Sequence, residues 1–153
     1  MKPVEIENDH HVLRYCRARL IERDDERGIR EMWPEALALR PAEKGRPAES
    51  YLSVSYYEYF SGSHDQRLKA SVAALKQRHA NVKDGDAMVM MNVGEIKDAG
   101  KAQKAKLRVL HEGRVGKEDY AAIRGIPANY DAELSALLCR AAVRDITFLS
   151  ECA

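Results

Sequence analysis

The sequence predicts an α+β domain: a largely antiparallel sheet of four or five strands with two principal helices. Three observations carry this expectation. Strand-length apolar and aromatic runs cluster between the helical segments rather than alternating with them, which favours α+β over α/β. One segment, residues 63–79, combines a helix-start signature with an apolar stripe at helical spacing. The 153 residues, 45% of them hydrophobic, suit one core of ordinary size, so 1–153 reads as a single domain.

HVLRYC (11–16) has strand character, but RARLI continues it in a way that also fits the start of a helix, so residues 11–21 stay open between the two. ERDDERGIRE (22–31) reads as a charged connection and EALALRP (35–41) as a short apolar run closed by Pro41. PAEKGRPAE (41–49) is the clearest loop. SYLSVSYYEYF (50–60) holds four of the seven tyrosines, and its aromatic and β-branched content favours a strand. Alternation then puts Leu52, Val54, Tyr56 and Phe60 on one face, and Tyr51, Ser53, Ser55, Tyr57 and Tyr59 on the other.

After SGS (61–63), Ser63 and Gln66 fit a capping box, and Leu68, Val72, Leu75 and His79 form the helical stripe. AMVMMNVGEI (87–96) and KAKLRVLHEG (104–113) read as two strands of a hairpin joined through DAGKAQ. YAAIRGIP (120–127) is a third strand, ended by Pro127. From Asn129 or Asp131 a second helix carries Leu134, Leu137, Leu138 and Ala141 inward, with a reach as far as Leu149.

Composition narrows the class. Charged residues make up 32% of the chain but the net charge is only +1, which excludes the disorder signature of low hydrophobicity with large net charge. Cys16, Cys139 and Cys152 are odd in number and widely spaced, which argues for a reducing compartment, hence a cytoplasmic protein. The N-terminal stretch carries acids where a signal peptide has its apolar run. No apolar run approaches the roughly 20 residues of a membrane span, so no membrane partner is expected.

Several chemistries lack their motifs. Gly94 to Gly100-Lys101-Ala102 has one residue too many for a phosphate loop and no hydroxyl for magnesium. DGDA (84–87) begins like a calcium loop but has no glutamate at its twelfth position. His10, His11 and Cys16 match no zinc spacing, so no metal site is expected. A phosphodiester-acting enzyme would need carboxylates clustered for metal, and the acids of ERDDERGIRE (22–31) read as part of a charged connection instead.

Two binding leads remain. Residues 97–117 hold seven cations against Asp98 and Glu112. Lys104, Lys106 and Arg108 alternate at strand spacing, with Arg114 beyond them, and such a basic hairpin face can lie along nucleic-acid phosphates. Lysines on an outer strand also discourage edge pairing, a purely structural use. The other lead is Tyr51, Tyr57 and Tyr59, which offer large area at low entropic cost to another protein or a second copy of the chain. The leading expectation is therefore a binding or accessory protein, with nucleic-acid binding as one alternative.

SYLSVS, with Arg14 in an earlier strand, also resembles the arginine and serine motifs of the Arg-Ser-Glu class of ADP-ribosyltransferases. That resemblance implies NAD as cofactor, with Arg14 on its phosphate and Ser53 and Ser55 bracing the site. The family's Glu-x-Glu is absent downstream, where Glu95, Glu112, Glu118, Glu133 and Glu151 are single candidates; Glu112 and Glu118 lie near strand ends without the expected partner, and Glu112 is set against that role.

Overall fold

The computed structural model describes residues 2–152, and the elements below are those of the described residues. In chain order they are β1 (Val4–Glu5), β2 (His11–Cys16), β3 (Ile21–Asp24), β4 (Ile29–Met32), β5 (Tyr51–Tyr56), α1 (His64–Arg78), β6 (Ala87–Asn92), α2 (Val93–Ala102), β7 (Arg108–His111), β8 (Tyr120–Arg124), α3 (Ala132–Ala141) and β9 (Val143–Phe148). Seven strands form one sheet in the order β1-β7-β8-β5-β2-β6-β9, while β3 and β4 form a separate hairpin. Every pairing in the main sheet is antiparallel.

The pattern of β2 dictates the layering. Val12 and Cys16 are buried on one face of the sheet, and Leu13 is buried on the other. A strand apolar on both sides needs cover on both. On the first face, Ile96 of α2, Leu134 and Leu138 of α3, Leu37 and the β3–β4 hairpin close over Leu52, Val89, Val109 and Ile123. On the second face, Leu68, Val72 and Leu75 of α1 pack on Leu13 and Met88. Toward β5, α1 meets the sheet through Ser71, whose hydroxyl donates to Ser55 at 3.4 Å, and through Arg78 at its end, which reaches Asp119. Beyond that line the β5–β8–β7 part of this face carries the exposed Ser53 and Arg108 and the half-buried Tyr51, Tyr120 and Arg124.

The α+β class, the antiparallel sheet and the helix after Ser63 hold. Ser63 accepts from the Gln66 N–H at 3.2 Å, and Gln66 Oε1 accepts from the Ser63 N–H at 2.8 Å. Residues 11–21 resolve into a strand followed by a short 3-10 turn at Ala18–Leu20. The strand count and helix count need correction: the sheet has seven strands, and α2 is a third helix.

The strand expected over 87–96 ends at Asn92. There the Asn92 side chain accepts from the Glu95 N–H at 2.9 Å, capping α2, whose Val93, Ile96, Ala99 and Gly100 then form a buried helical stripe. DAGKAQ thus lies within and just after a helix, and β6 and β7 are not neighbours. Residues 22–31 are no mere connection but the β3–β4 hairpin, turning at Gly28 with φ 67°. The C-terminal helix stops at Ala141; Val143–Phe148, with three β-branched residues, leaves it to pair with β6. At this sheet edge, Arg30 donates to the Ile146 carbonyl at 3.0 Å and holds Glu151 in a fork at 2.6 and 2.8 Å. That fork keeps the Glu151 carboxyl down at about 2.

No helix among the described residues is long and apolar enough to cross a membrane.

Two substitutions test this account by urea unfolding. Ser63→Ala removes the cap and is expected to cost about 1 kcal/mol. Gly125→Ala must hold φ 98° with its Cβ 2.2 Å from the Lys106 carbonyl oxygen, and is expected to cost more than about 1 kcal/mol.

Candidate functional site

The strands β2 and β5 pair only at Val12 with Tyr56 and Leu13 with Ser55. Past that point β2 stays with β6 through Cys16, while β5 runs along β8 to Tyr51. The sheet therefore parts, and Arg14 bridges the opening. Its guanidinium donates to the Ser53 carbonyl at 2.8 Å and to the Ala36 carbonyl at 3.3 Å. The first bond satisfies a carbonyl of β5 that a neighbouring strand would otherwise serve; the second ties in the 3-10 turn at Pro34–Leu37. The Nε of Arg14 is buried there with no hydrogen-bond partner among the described residues.

The parting opens a groove of about 680 Å³. Three chain segments bring cations to it besides Arg14: Arg40 and Arg46 from residues 40–46, Arg114 and Lys117 from the turn between β7 and β8, and Arg17 and Arg78 from the α1 side. Two of these are balanced. Arg78 grips Asp119 at 2.7 and 3.1 Å, and Arg17 stands 3.8 Å from Asp86. Arg40 donates to the carbonyls of Pro41 and Pro47. Among the described residues, no carboxylate lies within ion-pair distance of Arg14, Arg40, Arg46, Arg114 or Lys117. Among the described residues, Glu49 is the single carboxylate lining the groove, and its Oε1 accepts from the Arg40 N–H.

Tyrosines flank these cations. Tyr51 and Tyr120 meet edge to face with centroids 6.4 Å apart. Arg124 lies over Tyr51 at 4.4 Å and Arg114 over Tyr120 at 4.6 Å. Both oxygens of Glu112 accept from Arg124, at 2.6 and 2.7 Å, so that guanidinium is fixed while Arg114 is not. The bond from Tyr120, with Arg114 and Arg124 close by, holds the Tyr51 hydroxyl below the ordinary phenol range. Across the groove, burial and then Arg78, Lys117 and Arg17 push His79 below its usual value, as expected in a cationic field.

Buried carboxylates lie behind the groove's lining and fix the residues that form its floor. Ser55 donates to Asp119 at 2.6 Å beside the Arg78 fork. Burial works against the Asp119 carboxylate, but Arg78 and Ser55 outweigh it and hold its carboxyl below the usual range. Asp86 accepts from Tyr15 at 2.5 Å and from the N–H groups of Ala18 and Lys83. Burial and this bond to Asp86 push the Tyr15 hydroxyl up to about 12.

Of the residues singled out in the sequence, Arg14, Ser53, Ser55, Tyr51 and Arg114 meet at this groove. Glu112 lies outside its lining, held by Arg124. Lys104, Lys106 and Arg108 do not form the expected strand face. Lys104 sits at φ 56° in the turn that ends α2, β7 begins only at Arg108, and Arg108 pairs with Glu5 at 3.2 Å. Tyr57 and Tyr59 leave the strand for a 3-10 turn, which breaks the alternation with Tyr51. Tyr57 turns inward and its hydroxyl bonds His64 Nδ1 at 2.6 Å, while Tyr59 stays exposed beside His111.

The sequence reading missed Arg40, Arg46, Arg78, Asp119 and Tyr120, because nothing local says which loop folds over which strand. It also missed the ring of polar contacts at the other end of β5. There His11 bonds Glu58 at 2.7 Å, Tyr56 bonds His10, and Glu7, Asp9 and His10 bring ligand atoms within 4.8 Å of one another on an exposed loop. A larger hollow of about 910 Å³ lies between the β3–β4 hairpin and α3. Its Arg30 and Arg144 are paired with Glu151 and Glu95, so less free charge faces it.

Asp119 gives a test of the floor. Its folded pKa lies below the unfolded value of 3.8, so the stability it contributes is full above that value and lost as pH falls through the lower folded one. Asp119→Ala strands Arg78, a mostly buried cation, and is expected to cost about 3 kcal/mol at neutral pH. It should also flatten the acid side of the stability curve, read by denaturant midpoints from about pH 6 to about pH 2.

Set against known proteins, the chain matches no protein-family model, no curated protein and no solved structure.

Proposed function

We propose that the protein is a binding module whose groove between β2 and β5 holds a phosphate-bearing ligand. One observation carries this reading: five cations without a carboxylate partner among the described residues converge on one groove. Cations gathered without counter-charge repel one another, and an anion relieves that repulsion. The arginines offer planar forks suited to phosphate oxygens. The buried carboxylates Asp119 and Asp86 bond to the floor and are not free to serve as the anion.

A second reading takes NAD as the ligand of the same groove, since Arg14 stands against Ser53 with Ser55 beside it on β5. In that reading the protein is an ADP-ribosyltransferase-like enzyme, and Glu112 would have to leave Arg124 to reach a nicotinamide ribose.

Thermal shift with tripolyphosphate and with NAD, each at low and high salt, separates these. A ligand at 100 times its Kd adds about 2.7 kcal/mol, which is a rise of roughly 5–10 °C for a chain of this size. The binding-module reading expects a rise with tripolyphosphate that shrinks in high salt and is lost in the double charge reversal Arg46→Glu with Lys117→Glu. A salt-resistant rise with NAD alone, accompanied by nicotinamide release, would replace it with the transferase reading. No shift with either ligand would sink both.

A further inference from the structure

The groove does not end at its own rim. It opens onto the β5–β8–β7 part of the sheet that α1 leaves uncovered, where Tyr51 is registered with Arg124 and Tyr120 with Ser55, Ser53 lies between them, and the two rings lean together at 6.4 Å. Taking the phosphate-binding reading as its basis, we infer that the groove and this open sheet face together bind single-stranded nucleic acid, with phosphates in the groove and bases on the Tyr51–Tyr120 platform.

Three features favour a strand of linked phosphates over a single phosphate group. The unpaired cations come from three separate chain segments, around residues 14, 40–46 and 114–117. A lone phosphate engages two or three donors at one point, whereas a backbone can meet charges distributed along a path. Next to that path lies an aromatic pair, and base faces stack on aromatic rings and on guanidinium planes alike.

The two tyrosines are not equivalent. Arg124 is fixed over Tyr51 by its fork to Glu112, so it forms a standing platform. Arg114 lies over Tyr120 with no carboxylate to hold it, and is exposed. It can swing to a phosphate and leave the ring to a base.

A duplex fits this arrangement poorly. Its base faces are stacked inside, and it presents only phosphates and groove edges to a protein. The tyrosine platform would then contribute nothing. The inference therefore depends on bases being free to leave a stack.

The test is fluorescence anisotropy with a labelled single strand of about 12 nucleotides, within the roughly 4–16 that a single-strand-binding OB-fold covers, competed by the same sequence as duplex and by tripolyphosphate. Single strand is expected to bind at least tenfold more tightly than duplex. With four phosphates contacted, the log–log salt slope should be about −2.8, so a fourfold rise in salt weakens binding about fiftyfold. Tyr51→Ala and Tyr120→Ala should each weaken single-strand binding about fivefold or more, and by a larger factor than they weaken tripolyphosphate binding. Tyr51→Phe and Tyr120→Phe keep the ring and should bind as the parent does.

Equal affinity for single strand and duplex, measured on the unaltered protein, would overturn the inference even if the alanine variants fail to fold. So would alanine variants that bind the single strand normally. In either case, tripolyphosphate binding that disappears with Arg46→Glu and Lys117→Glu would leave the phosphate-binding reading standing. If neither tripolyphosphate nor the strand binds, both fall together.

Discussion

The Arg14 guanidinium sits where β2 and β5 cease to pair, and much of the molecule's chemistry follows from that position. Two antiparallel strands that separate within a sheet expose backbone carbonyls along both walls of the gap. Left unpaired, each would cost roughly 1–3 kcal/mol. Arg14 satisfies Ser53 on one wall and reaches Ala36 below, so the gap persists as an ordered opening instead of collapsing. A lysine could not do this, because it lacks the planar fork that reaches two carbonyls at once. The same residue thus shapes the groove and contributes its charge to it.

Around that opening the acidic groups are set back and the basic groups forward. Asp119 and Asp86 are buried and bonded to Ser55, Arg78, Tyr15 and backbone N–H groups. Arg46, Arg114 and Lys117 are exposed on loops and turns. The near-neutral total charge conceals this separation, since a chain with balanced charge overall can still present one sign locally. The field at His79 is a sign of it: burial and three neighbouring cations all act to discharge that ring.

What could be read from the sequence was whatever a short window contains. The helix after Ser63 announces itself through a cap and a stripe with steps of three and four residues, both local. The junction of β6 and α2 did not, because AMVMMNVGEI is apolar at both strand and helix periods; the deciding contact, Asn92 to the Glu95 N–H, lies in its middle. Val143–Phe148 likewise continues the apolar run of α3 and becomes a strand only because β6 has a free edge to receive it. For the groove, Arg14, Ser53, Ser55, Tyr51 and Arg114 stood out for separate reasons, yet their meeting depends on which strands become neighbours. That is a long-range property, and Arg40, Arg46 and Tyr120 enter the site through it alone. The alternation of Lys104, Lys106 and Arg108 misled because it assumed extended backbone where a helix was ending.

The placement of β2 has a further consequence for how the chain reaches this state. It is an early segment, yet its two neighbours in the sheet lie about 40 and about 76 residues further along. Loops of that length must close before either pairing forms, and such topologies fold slowly. During synthesis, the apolar faces of residues 11–16 have nothing to pair with until β5 emerges, and no complete sheet environment until Asn92 does. For that interval the nascent chain carries a short, unpaired, two-sided apolar strand. Such a strand is a natural substrate for chaperones and a point of vulnerability to aggregation.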